Sequence, residues 1–234
     1  MGKKYLYNLQ SFIFLLPTLI LLGTFVLYPF VVGLIYSFTD WNGMYITRWV
    51  GLENYVRLFK DMTFRAAVSN TLKYGIFVTL IELPVGIIFA AILNSKSLKL
   101  RGIIRTAVYL PATLGLLIVA NVFNVILAYD SVVDQIWRML GNEEALNVMG
   151  SIPLMQTAMI FIMFWHGLGS CIVFLLAGMQ GIPEELHEAA LVDGAGPLQH
   201  FFRITLPLLR PTITVVTFIT MNGLLKTFDL PFKL

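Results

Sequence analysis

Residues 11–39 read SFIFLLPTLILLGTFVLYPFVVGLIYSFT, a run without one charged side chain. A helix needs about 20 mostly apolar residues, at a rise of 1.5 Å each, to cross about 30 Å of hydrocarbon. This run is long enough. Lys3 and Lys4 precede it, as basic residues precede a secretory signal. A signal's apolar core, however, is only about 7–15 residues long. Tyr28-Pro29 and Tyr36 also stand where small cleavage-site residues would be expected. The run therefore reads as a retained membrane span.

Four more runs of the same kind follow. Between 74 and 95 the only charge is Glu82, and between 106 and 129 there is none. From 151 to 179, setting Cys171 aside, the only titratable side chain is His166. Residues 211–225 are uncharged but reach only about 22 Å as a helix. Extension back to Leu206 corrects that, with Arg210 free to snorkel to the interface. The expected fold class is all-α: one polytopic membrane bundle over 1–234, with spans near 12–38, 72–95, 104–129, 152–179 and 206–227.

Composition leads to the same conclusion. Apolar residues are 58% and charged residues 12% of the 234, against about 45–50% and about 25% in soluble domains. Mean hydropathy is +0.81. So much apolar surface must face lipid. The net charge of +3 comes from 16 basic residues scattered along the chain, so nucleic acid is not an expected partner. Their tightest group, Lys96, Lys99, Arg101 and Arg105, flanks a span. The single cysteine cannot form an internal disulfide and implies no oxidising compartment. No metal site, cofactor or catalytic residue is expected.

Alternation of the spans puts the N-terminus, 96–105 and 180–207 on one side of the membrane. The other side holds 39–73, 130–150 and the C-terminal tail. Basic residues divide evenly between the two sides, but their density at 96–105 and just before the first span marks the cytoplasm.

Glu82 stands one residue before Leu83-Pro84. An ionisable group at membrane depth costs about 2.5–3.5 kcal/mol on insertion scales and faces a bundle interior or a wet cavity. Glu82 either lines a transport path or is a carboxyl that is protonated or bonded to a neighbouring helix. Pro84 removes a helix hydrogen bond beside it. Asn121, Asn124 and Asn222 are also polar residues within spans. Interhelical hydrogen bonding is the first reading for each, and contact with a solute the second.

Residues 180–211, QGIPEELHEAALVDGAGPLQHFFRITLPLLRP, are too polar to span and too regular for a slack loop. Pro183 suits the first position of a helix, and Glu184 and Glu185 fit its first turn. Gly194 suits the left-handed residue that ends one. Pro197 then opens a second short helix, expected to stop at Leu206-Pro207. Leu186, Ala189, Ala190 and Asp193 share a face of the first helix at i, i+3, i+4 and i+7. The pair is either an amphipathic linker resting on the bilayer or a docking element.

The run Glu188-Ala189-Ala190-Leu191-Val192-Asp193-Gly194-Ala195-Gly196, followed by Ile204-Thr205-Leu206-Pro207 and Pro211, resembles the EAA motif of permeases in binding-protein-dependent ABC importers. The flanks are similar too: residues 176–183, Trp165 with Gly169, and Arg105 to Pro111. Val50-Gly51-Leu52-Glu53-Asn54-Tyr55, with Phe64 and Asn70-Thr71-Leu72, resembles the branch that includes maltose and glycerol-3-phosphate permeases.

The resemblance implies an inner-membrane transport subunit, not an enzyme, with its N-terminus in the cytoplasm. Glu188, Ala189, Ala190, Asp193 and Gly194 would dock into an ATP-binding subunit as a coupling helix. Two such subunits, a second homologous permease and an extracytoplasmic solute-binding protein would complete the machine. The solute would be a sugar, sugar derivative or polyol. The chain has no Gly-x-x-x-x-Gly-Lys-Ser/Thr phosphate loop, so ATP hydrolysis would fall to the partners.

Three features depart from the family. Relatives continue to a sixth span, and Phe228-Asp229-Leu230 begins to look like the stretch leading to it, so the chain reads as one lacking that span. Asn121-Val122-Phe123 stands where a tryptophan is frequent, and 131–134 where Gly-x-x-Asn is common. Glu82 is not expected at all. Two rival readings remain. An intramembrane enzyme would have to use His166, Glu82 and Cys171, which no motif links. A scaffold would not need the EAA segment. Phe123, Phe161, Phe164 and Trp165 read first as packing or lipid-facing residues, and second as candidates for stacking on a sugar.

Overall fold

A computed structural model describes residues 2–95, 98–142, 145–227 and 231. Lys96 and 228–230 lie outside the described residues. The chain divides into two units, 1–68 and 69–234.

In the first unit, α1 (Gly2–Leu22) continues through a π turn at Gly23–Leu27 into α2 (Tyr28–Ser37). The turn has a cause. Pro29 lacks an N–H, and its ring crowds the carbonyl four residues back. Widening the helix by one residue relieves that crowding, and the Tyr28 N–H reaches Gly23 O instead. A short antiparallel hairpin follows, β1 (Thr39–Trp41) and β2 (Ile46–Trp49), paired Thr39↔Trp49 and Trp41↔Ile46. Asn42 Oδ1 accepts from the amides of Met44 and Tyr45 in its turn.

The stretch 50–55 has a clear physical use. Gly51 has φ +56, and its N–H and that of Val50 both donate to Phe38 O. The Asn54 amide donates to Ser37 O and Thr39 O, each at 2.9 Å, and Tyr55 Oη lies 2.7 Å from Ser37 Oγ. These bonds tie α3 (Glu53–Lys60) to the end of α2 and to β1. The helix α4 (Met62–Asn94) begins at Met62, not near 72. Asp61 is the reason: its Oδ1 caps the amides of Thr63 and Phe64 at 2.7 and 3.0 Å.

In the second unit, α5 (Arg101–Thr113) and α6 (Leu116–Leu127) stand where one span was expected, bent by 90° at Leu114-Gly115. Both of these residues are extended, with ψ of 139° and 136°. After α7 (Val132–Met139) comes the long α8 (Ile152–Gln180). The buried Asp134 carboxylate accepts from the amides of Asp130 and Leu146, closing the loop between them. The chain then forms α9 (Glu184–Val192), α10 (Pro197–His200), a second π turn at Phe201–Thr205, α11 (Leu206–Leu208) and α12 (Arg210–Leu225). Helix α10 does not stop at Leu206-Pro207. The π turn carries it past the proline, with the Leu206 N–H bonded to Phe201 O. The bend, 64°, comes between Leu208 and Arg210.

Among the described residues three helices, Phe12–Ser37, Met62–Asn94 and Ile152–Gln180, are long and apolar enough to cross a membrane, or up to five if each bent pair is one span. Helix α8 organises the second unit. Its Met159, Ile162 and Met163 pack with Val78, Val119, Ala120 and Leu127, and its Cys171, Ile172, Leu175 and Leu176 pack with Ala90, Leu93, Leu209 and Val216. Small residues permit the close approach, as in other membrane bundles. A Cβ on Gly169 would lie 2.7 Å from Val108 O of α5, and one on Gly178 would strike the Thr212 side chain of α12.

Candidate functional site: a surface hairpin and a membrane cavity

Helix α9 starts after Pro183, which is its N-cap and not its first helical residue, with Glu184 and Glu185 in the first turn. It ends in a Schellman motif: the Ala195 N–H bonds Ala190 O at 3.0 Å, and the Gly194 N–H bonds Leu191 O at 3.1 Å. Gly194 has φ +74, where an L side chain is strained. His187 Nδ1 lies 2.7 Å from His200 Nε2, so a hydrogen bond also ties α9 to α10.

The expected shared face is divided. Glu188, Ala189, Asp193 and Gly194 are exposed, but Ala190 is buried at 5%. Ala190 is thus a seat for the hairpin. Leu191, Val192, Leu198 and Phe202 stand outside it, 60–88% exposed. Spacing puts Leu198 and Phe202 on one face of the second helix, but it does not mark Leu191 and Val192 as exposed.

The second feature is a cavity of about 280 Å³ between α4, α6, α8 and α12, at the level where the two apolar clusters on α8 meet. Its polar lining is Glu82, His166, Ser170, Thr220 and Thr227, and its apolar lining includes Leu116, Met163, Phe174, Val216 and Ile219. Glu82 enters because Gly167 of α8 has no side chain: a Cβ there would stand 3.0 and 3.2 Å from the carboxylate oxygens. His166 Nε2 lies 3.1 Å from Leu114 O. A carbonyl can only accept, so Nε2 carries the proton. His166 thereby satisfies a carbonyl freed by the break between α5 and α6.

Of the four residues singled out for a solute path, only Glu82 lines this cavity. Asn121 is exposed, and its Nδ2 donates back to Leu117 O at 2.9 Å. Asn124 is half-buried and has a bonding partner, and Asn222 is exposed. Phe123 and Trp165 pack edge to face at 5.6 Å, and neither reaches the cavity. Among the described phenylalanines and tryptophans the ring that does is Phe174. Ser170, Thr220 and Thr227 escaped sequence reading because single hydroxyls in apolar helices carry no period or motif.

Residues 82–231 match the family described as the inner membrane component of binding-protein-dependent transport systems. The chain belongs to that family. As such a component it is a multi-pass inner-membrane transport subunit, not an enzyme. The chain is 32% identical, over 97% of its length and 77% of the relative's, to a probable starch degradation products transport permease, AmyD, of Thermoanaerobacterium thermosulfurigenes. It is 33% identical, over 99% and 80%, to the multiple sugar-binding transport permease MsmF of Streptococcus mutans. A bacterial ABC transporter that imports the acidic polysaccharide alginate superposes with a TM-score of 0.83 at 28% identity, covering 97% of this chain and 77% of the other. The inner membrane component of such a system works with a binding protein, as the family description states.

Proposed function

We propose that this chain is a permease subunit of an ATP-driven importer for a sugar, sugar derivative or polyol. The EAA hairpin couples closure of two ATP-binding subunits to rocking of the spans. A second, homologous permease forms the other half of the pathway, and an extracytoplasmic binding protein delivers the solute. The N-terminus and residues 180–207 face the cytoplasm. The five spans near 12–38, 72–95, 104–129, 152–179 and 206–227 belong to one transmembrane domain, with each bent helix pair counted as one span.

The observation that carries this reading is the hairpin. A helix closed by a Schellman motif at Gly194, pinned by Ala190 and His187, holds Glu188, Ala189 and Asp193 outward beside Leu191 and Val192. An apolar surface rimmed by carboxylates suits a protein groove better than bulk water. The sugar-transport names of the relatives support the class of solute.

The test is co-purification. The tagged chain, expressed with its neighbouring transport genes, is expected to bring down an ATP-binding subunit and a second permease. Glu188→Lys, which reverses an exposed charge at the rim of the surface, is expected to weaken ATPase capture by at least about tenfold. Retention of the ATPase at the native level by Glu188→Lys and by Ala189→Arg would overturn the docking surface.

A further inference from the structure

Glu82 is 2% exposed, and among the described residues its carboxylate has no hydrogen-bond or ion-pair partner. Its backbone carbonyl alone is engaged, by a weak contact from Cys171 Sγ at 3.8 Å. A buried carboxylate without a partner is a costly arrangement, and here the surroundings preserve it. Gly167 leaves the carboxylate room. Among the described residues no Lys or Arg lines the cavity. The Nε2–H of His166 is already given to Leu114 O. The hydroxyls of Ser170, Thr220 and Thr227 line the same space, with Phe174 as its aromatic wall. Among the described residues nothing completes this group, so a proton or a donor that enters the cavity must do so.

We propose that Glu82 is a charge filter in this cavity: it accepts carbohydrates that bring hydrogen-bond donors, best of all an ammonium, and rejects those that bring a carboxylate. The inference rests on the importer reading above, with the cavity on the solute's path. An amino sugar supplies a charge-assisted partner for the carboxylate. A neutral sugar supplies hydroxyl donors. A uronic sugar sets like charge against like in a poorly solvated space, and rejection by repulsion is as much a source of specificity as attraction.

The experiment uses the assembled complex in nanodiscs, with glucosamine, glucose and glucuronate as probes, and reads binding by saturation-transfer NMR, which suits weak ligands. The native complex is expected to rank glucosamine above glucose above glucuronate. Glu82→Gln, which keeps the shape and removes the charge, is expected to reduce the glucosamine-to-glucuronate ratio by about tenfold. Glu82→Asp is expected to keep the native order. The native order and the Asp variant decide the matter if the Gln variant does not assemble. Equal binding of glucuronate and glucosamine to the native complex would overturn the proposal. So would an unchanged ratio in Glu82→Gln, or no binding of any probe to a complex that retains its ATPase. Failure of the importer reading is seen separately, as native preparations that contain no ATP-binding subunit.

Discussion

Single positions on α8 set how closely the bundle closes. Gly169 faces backbone, not the end of a flexible side chain: Val108 O and Tyr109 Cα lie 2.7 and 2.9 Å from where its Cβ would be. Neither can turn aside. Gly169→Ala should force α5 from α8 and destabilise the fold by about 1–3 kcal/mol, read as a lower melting temperature in detergent. Gly102→Ala, with open space around it, should leave that temperature unchanged. The sequence marks Gly169 only through its spacing from Trp165. What that glycine touches is a long-range fact, set by how α5 crosses α8. The polar candidates show the same limit. Glu82 was legible because a carboxylate in an apolar run is rare. Asn121 was equally conspicuous, but its amide bonds its own helix at Leu117 O.

Elements were legible where local chemistry dominates. The end of α9 at Gly194 follows from the left-handed conformation that glycine adopts at no steric cost. Gly194→Ala should cost about 1 kcal/mol and loosen the hairpin, seen as faster amide exchange at Ala195, whose N–H closes the motif on Ala190 O. Gly196→Ala, at an ordinary φ of −67, is the control that should change little. Boundaries were less legible. Composition set the start of the second span near 72, where the apolar run begins, but a helix starts where its amides are capped, and Asp61 does that earlier. The break between α5 and α6 has no proline at its centre. The Leu114 carbonyl it frees is met by His166, 52 residues away in sequence, and no local pattern reports such a contact.

At the scale of the molecule, hydropathy carried most of the fold class, because lipid demands that backbone polar groups be satisfied within helices. Orientation was harder, since the basic residues balance between the two sides. A membrane-impermeant thiol reagent tests it directly. On a Cys171→Ser background, Gly43→Cys, in the exposed hairpin turn, should react in intact cells. Gly194→Cys, at the exposed end of α9, should react only after the membrane is opened. The opposite pattern would invert the topology. The burial pattern also suits a subunit: none of the most apolar window in Phe12–Ser37 is buried, against 44% of that in Ile152–Gln180.

The two π turns, at Gly23–Leu27 and Phe201–Thr205, each precede a proline by the same interval. Each holds one residue that a plain α-helix would not need, a surplus coil that the proline alone makes useful. Removal of Thr24 by itself should rotate α2, with β1 and α3 bonded to its end, by about 100° relative to α1. Removal of Thr24 together with Pro29→Ala should leave an unbroken helix in its original phase, with thermal stability and membrane yield retained. In a line-up of homologous chains, a gap at either place would then be the expected signature of a missing proline, not of a lost piece of structure.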